Sequence, residues 1–563
     1  MGSTLGGGER EDVMRLVFKY SNGHISILNE GFHRLGVKDF LFFSTNENFK
    51  PNENIIDFAK QNKGIVFQEE ESSIKIFNDP FRSIPLYITK LQSEEILIFS
   101  NPNDCLNFSG FNNLEYDHTG FWETVLYGSG IGTRTIFKNL KQMPAASVIN
   151  ISKETNTVTI SRYWNFDIYE NSSIDSIDKA GDGLYERLAA IFSKLRNDEQ
   201  YLLGLSGGVD SRITIAMLSK FVDKNHIKTY TFGYDNRILE HYYAKKVSHI
   251  LNIAMPYFHL LNASSYEKAL RTINYESLGQ VGIGHCHTYD YLEKNVWQLN
   301  GYKHISTMYS DAVLGWEAVY PKRKDRIEDS SYFKVLPVPL GKSIWEEIRA
   351  DAEEILKAYQ PQYGFSSIDE FKYVTERNVK FHMYLAFLHG KFIDTLTPFA
   401  DFELLTYMIS VPAIFRHNKC LIDYIFDRYF PQLSASKIGN ISSRCWWGPQ
   451  YTNYFNYIEK GIINRLNTVL FRITKGRYQV FDKYMTEVWR NVLYIQLNQK
   501  FNNALNTLQK YELINKEQKD FFSKPAISVN SAGIAERFQL MGLAELINSD
   551  KPKGSLTKQC VSS

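Results

Sequence analysis

One bend of the chain restricts the fold more than any other stretch. LLGLSGGVDSRITIAML, Leu202 to Leu218, runs from an apolar strand-like segment through Ser-Gly-Gly-Val-Asp-Ser into a segment of helical periodicity that begins near Ser211. In an open parallel sheet, ligands collect at the carboxyl ends of strands and at helix N-termini. Gly207 and Gly208 carry no Cβ, so backbone N–H groups there can approach an anion, and Ser206 and Ser211 add hydroxyl donors. Asp210 would repel a bare phosphate, but it is well placed to hold a magnesium ion that neutralises one. The pattern is neither the Gly-Lys-Ser/Thr phosphate loop nor the GxGxxG fingerprint.

At 563 residues the chain calls for two or three domains. Residues 13–165 read as short strands. MRLVFKYSNGHISIL is two β-rich runs about Ser21-Asn22-Gly23, SSIKIFNDPFRSIPLYITKLQSEEILIFSN supplies three more, and TVTISRYWNF closes the set. Stacked antiparallel sheets are expected there. Near residue 170 a polar linker gives way to a helix, and strands then alternate with helices: YLLGLS, SRITIAMLSKF, IKTYTFGY, LEHYYAKKVSHILN, MPYFHLL and, later, KHISTMYS. That rhythm predicts a parallel sheet covered on both faces. Beyond about residue 330 the pattern is helical, with no clear strand. The division expected is 13–168, 175–450 and a helical extension and tail over 451–563.

Composition removes several classes of function. Net charge is +2, without the basic face of a nucleic-acid binder. No apolar run of 18 residues exists, so no membrane span is expected. Five scattered cysteines form no CxxC pair, which fits a reducing cytoplasm. His285-Cys286-His287 has no second ligand pair at zinc spacing, and adjacent residues alternate faces, so it reads as packing. Pro321 to Arg326, PKRKDR, reads as a solvated loop, and Cys445-Trp446-Trp447 as buried packing.

Over roughly residues 13–440 the chain resembles the asparagine synthetase family of ATP pyrophosphatases. SGGVDS at Ser206–Ser211 and the TFG ending at Gly233 match its nucleotide segments. STMYSDAVLGW from Ser306 resembles its Ser-Gly-x-Gly-x-Asp-Glu-x-x-Gly-Gly segment. NDPFRSIPLYI from Asn78, TRTIFKNLKQMPAA and LTPFADFELLTYMISVP from Leu396 resemble others. The resemblance implies an N-terminal sandwich of the amidohydrolase type that uses its own N-terminal residue, joined to a C-terminal ATP-pyrophosphatase domain. It implies that Ser206, Gly207, Gly208, Asp210 and Ser211 hold pyrophosphate and magnesium, with Asp311 the second magnesium ligand. Leu205 and Phe232 would meet adenine or ribose, and Ser306 and Thr307 would border the nucleotide and acyl-adenylate. Lys437 stands where the family often has a lysine that steadies departing pyrophosphate, with Arg444 a second candidate. Arg212 would either clamp a phosphate or pair with a carboxylate.

Two departures matter. Glutamine hydrolysis in the family needs an N-terminal cysteine, whereas residue 2 is Gly2 and the first cysteine is Cys105. The family's catalytic Glu is Met308, the Glu after the aspartate is Ala312, and its glycines are replaced by Tyr309 and Ser310. β-Lactam synthetases use a tyrosine near Tyr309 as a base. Its offset differs here by one residue, and a tyrosine would need help from a carboxylate or lysine. The expectation is a ligase using ATP and Mg2+ that adenylates a small-molecule or peptide carboxylate and passes it to an amine. Without glutamine hydrolysis the amine is free ammonia, a second substrate, or, as in β-lactam synthetases and lasso-peptide cyclases, part of the same molecule. The competing expectation is a decayed member that only binds a nucleotide or partner. A tRNA-thiolating enzyme is disfavoured by the lack of paired cysteines. The oligomeric state stays open, a homodimer included.

Overall fold

The structure is a computed structural model and describes residues 14–21, 23–37, 39–45, 50, 52, 54–102, 104, 115–281, 286–315, 319–435, 461–463, 465–466, 469–470, 473–474, 497–523 and 534–548. Its first part is two antiparallel sheets. β1 (Arg15–Ser21) and β2 (His24–Glu30) form the expected hairpin, in which Ser21 pairs with His24 and Gly23 takes φ +82°. β8 (Ile96–Phe99), β7 (Tyr87–Lys90) and the two-residue β9 (Lys141–Gln142) extend that sheet from β1. The second sheet runs β11 (Val158–Arg162), β10 (Ser147–Ser152), β6 (Ser73–Asn78), β5 (Ile65–Glu69), β4 (Phe40–Ser44), β3 (His33–Val37). Period-two burial in β10 hides Ser147, Ile149 and Ile151 on one face. Between the sheets, Phe18 of β1 stacks on Phe67 of β5, centroids 5.6 Å apart, and meets Phe43 of β4 edge-on.

The second part opens with the helix Ile177–Phe192. Ser176 caps it by accepting the Lys179 N–H, and Ala180, Leu184, Leu188 and Phe192 repeat at helical spacing on its buried face. Five strands follow in the order β14 (Tyr257–Leu260), β13 (Ile227–Gly233), β12 (Gln200–Gly204), β15 (Tyr302–Ile305), β16 (Asp394–Leu396), all parallel. Strand order reverses between β12 and β15, the crevice where such sheets take their ligands. β16 corrects the expectation of no strand after residue 330: its three residues are too few to show periodicity. The helix after β12 spans Val209–Phe221, with Gly208 as N-cap, so it starts before Ser211 and puts Asp210 in the first turn.

The two parts are bound together by part-buried polar contacts. Lys63 Nζ donates to the carbonyl and hydroxyl of Thr397 at 3.1 and 3.0 Å, and Arg162 pairs with Glu376 at 2.8 Å. The helices Asn498–Lys510, Lys516–Ser523 and Ile534–Asn548 return to the core, where Phe522 stacks on Trp122 of the helix His118–Tyr127. Among the described residues, no helix is long and apolar enough to cross a membrane.

Candidate functional site

β12 ends at Gly204, and the chain stays tied to β13 for one more residue. The Leu205 N–H donates to the Tyr230 carbonyl at 2.8 Å, and its own carbonyl accepts Thr231 Oγ1 at 2.6 Å. The bend then closes on itself. The Ser206 N–H donates to Ser211 Oγ at 3.1 Å, and Ser206 Oγ accepts the Gly208 N–H at 3.0 Å. The serines given to an anion by the sequence thus also shape the loop. Gly207 answers packing as well, since a Cβ there would lie 2.7 Å from the Tyr243 ring. Gly208 makes no side-chain cap, which leaves the positive end of the helix Val209–Phe221 without a carboxylate or hydroxyl on its cap residue.

Asp210 stands in the first turn of that helix. Asp311 follows β15, the neighbouring strand, in the four-residue helix Ser310–Val313. Lys419 brings them to one point. Its Nζ lies 2.6 and 2.7 Å from the two oxygens of Asp210 and 2.7 Å from Asp311 Oδ1, with its side chain 8% exposed. Burial raises the Asp210 carboxyl to about 6, and Asp311 adds to that while Lys419 opposes it. Burial also works against charge on Asp311, but the Lys419 ammonium prevails and holds it below the usual carboxylate range. Burial disfavours charge on Lys419 too, and the two carboxylates outweigh it and raise its pKa.

Lys419 was not among the sequence candidates. It and Asn418 both take left-handed backbone, φ 59° and 53°, and Lys419 is the N-cap of the helix Cys420–Tyr429. A cation at the positive end of a helix is unfavourable by itself, so a lysine at that place is a signal that carboxylates face it. Arg416 anchors the segment through a fully buried pair with Glu370 and through the carbonyls of Val411 at 2.9 Å and Gly364 at 2.7 Å. Gly315, at φ +82°, lies against Arg416 so closely that a Cβ would fall 2.0 Å from its carbonyl oxygen.

A cavity of about 230 Å³ opens beneath the bend and is lined by Leu205, Ser206, Gly208 and Asp210 on one side and by Phe232, Ser306, Thr307 and Met308 on others. The Phe232 ring lies 3.8 Å from the His287 ring. Tyr230, Thr288, His304 and His389 form its floor. Burial lowers His304 to about 4 and His389 well below its ordinary value, so both are neutral near pH 7. His304 Nε2 faces Tyr230 Oη at 3.4 Å, while His304 Nδ1 and both His389 nitrogens have no hydrogen-bond partner among the described residues. The floor therefore offers uncharged donors and acceptors.

The remaining candidates fall as follows. The Ser306 N–H donates to the Leu396 carbonyl at 2.8 Å, and Ser306 Oγ accepts the Met308 N–H. The Thr307 carbonyl accepts the Ser310 N–H at 3.2 Å. Tyr309 is fully buried, its hydroxyl donates to the Val374 carbonyl at 3.0 Å, and burial raises its pKa. This corrects its candidacy as a base: it is an anchor facing away from the cavity. Arg212 places its guanidinium 5.3 Å from the Phe426 ring centre, and burial lowers it to about 10 against the charges of Asp423 and Asp210. Lys437, Arg444, His285 and Cys445-Trp446-Trp447 lie outside the described residues. A second cavity, about 680 Å³, lies between the sandwich and the helix His382–His389. Met14 and Lys63 line it, and no cysteine does among the described residues.

Two carboxylates at one point are the hard oxygen donors magnesium takes, and phosphate oxygens and water would complete its octahedron. Among the described residues no three His, Cys, Asp or Glu side chains form a metal cluster. The donors fit on condition that the Lys419 ammonium, which occupies that point, shifts towards the phosphates.

Residues 185–290 match the family model described as Asparagine synthase. The match runs from the helix Ile177–Phe192 into the helix Cys286–Asn295, so it contains Asp210 and excludes Asp311 and Lys419. It agrees with the asparagine synthetase-like resemblance, and that family consists of ATP-dependent ligases and amidotransferases that use magnesium. A search of curated proteins returned no match.

Proposed function

We propose that the asparagine synthase domain at residues 185–290 serves an ATP-dependent carbon–nitrogen ligase that joins a carboxylate to an amine and releases AMP and pyrophosphate. A carboxylate oxygen attacks the α-phosphorus, and the bond to the pyrophosphate oxygen breaks. The amine nitrogen then attacks the acyl carbon, loses a proton, and AMP departs. The bend Ser206–Ser211 orients the phosphates by its amides, and the Lys419 ammonium neutralises charge growing on pyrophosphate. Leu205, Phe232 and the neutral floor at His304 and His389 seat the uncharged base. Asp210 and Asp311 would hold magnesium, which would supply further charge neutralisation.

The observation that carries this reading is the meeting of Asp210 and Asp311, from the ends of two adjacent parallel strands, on one cation beside the bend. On this reading the amine is free ammonia, a second substrate or part of the same molecule. Exchange of labelled pyrophosphate into ATP, run over a panel of carboxylates with Asp210→Ala as control, tests it. Carboxylate-dependent exchange lost in Asp210→Ala is expected. Nucleotide binding without exchange over the whole panel would instead favour a binding protein, the reading that Met308 and Ala312 suggest.

A further inference from the structure

Asp311 is aimed through Tyr309, and what fixes Tyr309 lies outside the parallel sheet. The helix Ser310–Val313 has four residues and no side-chain cap, too little to hold its own orientation. Tyr309, which precedes it, takes φ 74°, a left-handed corner that a bulky residue keeps only when its surroundings over-determine it. Its ring stands edge-on to Phe81, centroids 5.2 Å apart at 89°, and its hydroxyl is held by the Val374 carbonyl.

Both contacts lead to the sandwich. Phe81 sits in a turn clamped by the Asp79 carboxylate, which accepts the N–H groups of Gly64 at 2.9 Å, Phe81 at 2.8 Å and Ser83 at 3.2 Å. Val374 lies in a π-helical turn, Tyr373–Arg377. Two residues on, Glu376 receives Arg162 of β11 at 2.8 Å, Lys380 at 2.6 Å and the Gly132 N–H at 3.3 Å. Lys380 also donates to the carbonyls of Gly130 and Gly132 at 3.0 and 2.8 Å. Glu376 and Lys380 are almost wholly buried, so these contacts are not screened by solvent.

We propose that the N-terminal sandwich is a positioning element of the synthetase site. Phe81 and Arg162, which do not line the nucleotide cavity, set the corner at Tyr309 and thereby hold Asp311 beside Asp210 and Lys419. This rests on the ligase reading above and gives the sandwich a task that needs no cysteine. It also accounts for a tyrosine where the family has a glycine: the side chain is the link to the other domain.

The test uses the full chain carrying Phe81→Ala, Phe81→Leu, Arg162→Met or Asp210→Asn. Affinity for ATP with and without magnesium is measured by calorimetry well below each variant's unfolding temperature, and KM and kcat are measured by pyrophosphate exchange. Phe81→Ala is expected to weaken magnesium–ATP binding about tenfold, to raise KM more than it lowers kcat, and to leave magnesium-free ATP binding nearly unchanged. Arg162→Met is expected to act in the same direction, and Phe81→Leu to recover most of the loss. If Asp210→Asn abolishes magnesium–ATP binding while Phe81→Ala and Arg162→Met bind like the unaltered protein, the positioning role is overturned. If Asp210→Asn itself binds normally, the ligase reading fails whatever Phe81 does. Should Phe81→Ala not fold, Tyr309→Phe, which keeps the ring and removes only the bond to Val374, decides the matter. About threefold weaker binding supports the proposal, and unchanged affinity overturns it.

Discussion

Replacing Lys419 by methionine removes the positive charge held between Asp210 and Asp311 while keeping the aliphatic stem. Taking one partner from a buried ion pair costs about 3–5 kcal/mol. The carboxylate side chains are 24% and 33% exposed, so water screens part of the interaction and the lower end, about 3 kcal/mol, applies. Asp210, already raised to about 6, moves higher and takes up a proton nearer neutrality. A divalent ion should undo the damage: at a concentration about 100 times its dissociation constant it restores about 2.7 kcal/mol. A chain of several domains does not unfold in one step, so the readout is local. Amide hydrogen exchange of Val209–Phe221 and Cys420–Tyr429 in Lys419→Met should accelerate about a hundredfold in EDTA and return towards normal in magnesium. Unchanged protection in EDTA, or magnesium protecting the unaltered protein as much as the variant, would refute the reasoning.

Arg416→Met breaks the buried pair with Glu370 that seats the Lys419 segment, and should lower the local stability of Cys420–Tyr429 by about 3–5 kcal/mol, read as faster amide hydrogen exchange there, and weaken nucleotide binding with it. Gly207→Ala sets a Cβ against Tyr243 and should cost about 1–3 kcal/mol by overpacking, with Tyr243→Ala relieving the clash in the double variant. His304 bears on acid stability. The unfolded chain takes up its proton near pH 6.5, whereas the folded one does so only near pH 4. Stability therefore falls as pH drops through that window, by about 3 kcal/mol at its foot. His304→Phe should move the midpoint of acid unfolding to lower pH, and an unmoved midpoint contradicts the shift.

The bend at Ser206–Ser211 was legible because its chemistry is local: strand, glycines, hydroxyls and helix follow one another within a dozen residues. The β1–β2 hairpin and the alternation from β12 to β15 were legible for the same reason. Lys419 was not. It lies in a left-handed corner between short helices, 108 residues beyond Asp311 in sequence, and only tertiary folding delivers it. Tyr309 and Asp311 are two residues apart, yet one packs against Phe81 and the other meets Lys419, and no periodicity distinguishes them. His389 ends an apolar run, YLAFLH, and His304 lies in the mixed segment YKHIS, and neither pattern says anything about the polar floor they form.

The ammonium that joins the two acids lies 209 residues after Asp210. A ribosome therefore delivers the bend, its strand and both carboxylates long before their counter-charge exists. Without that ammonium the bend would set two like charges face to face, and their repulsion would oppose closing the corner. A chain that ends before residue 419 therefore carries both acids with nothing to balance them.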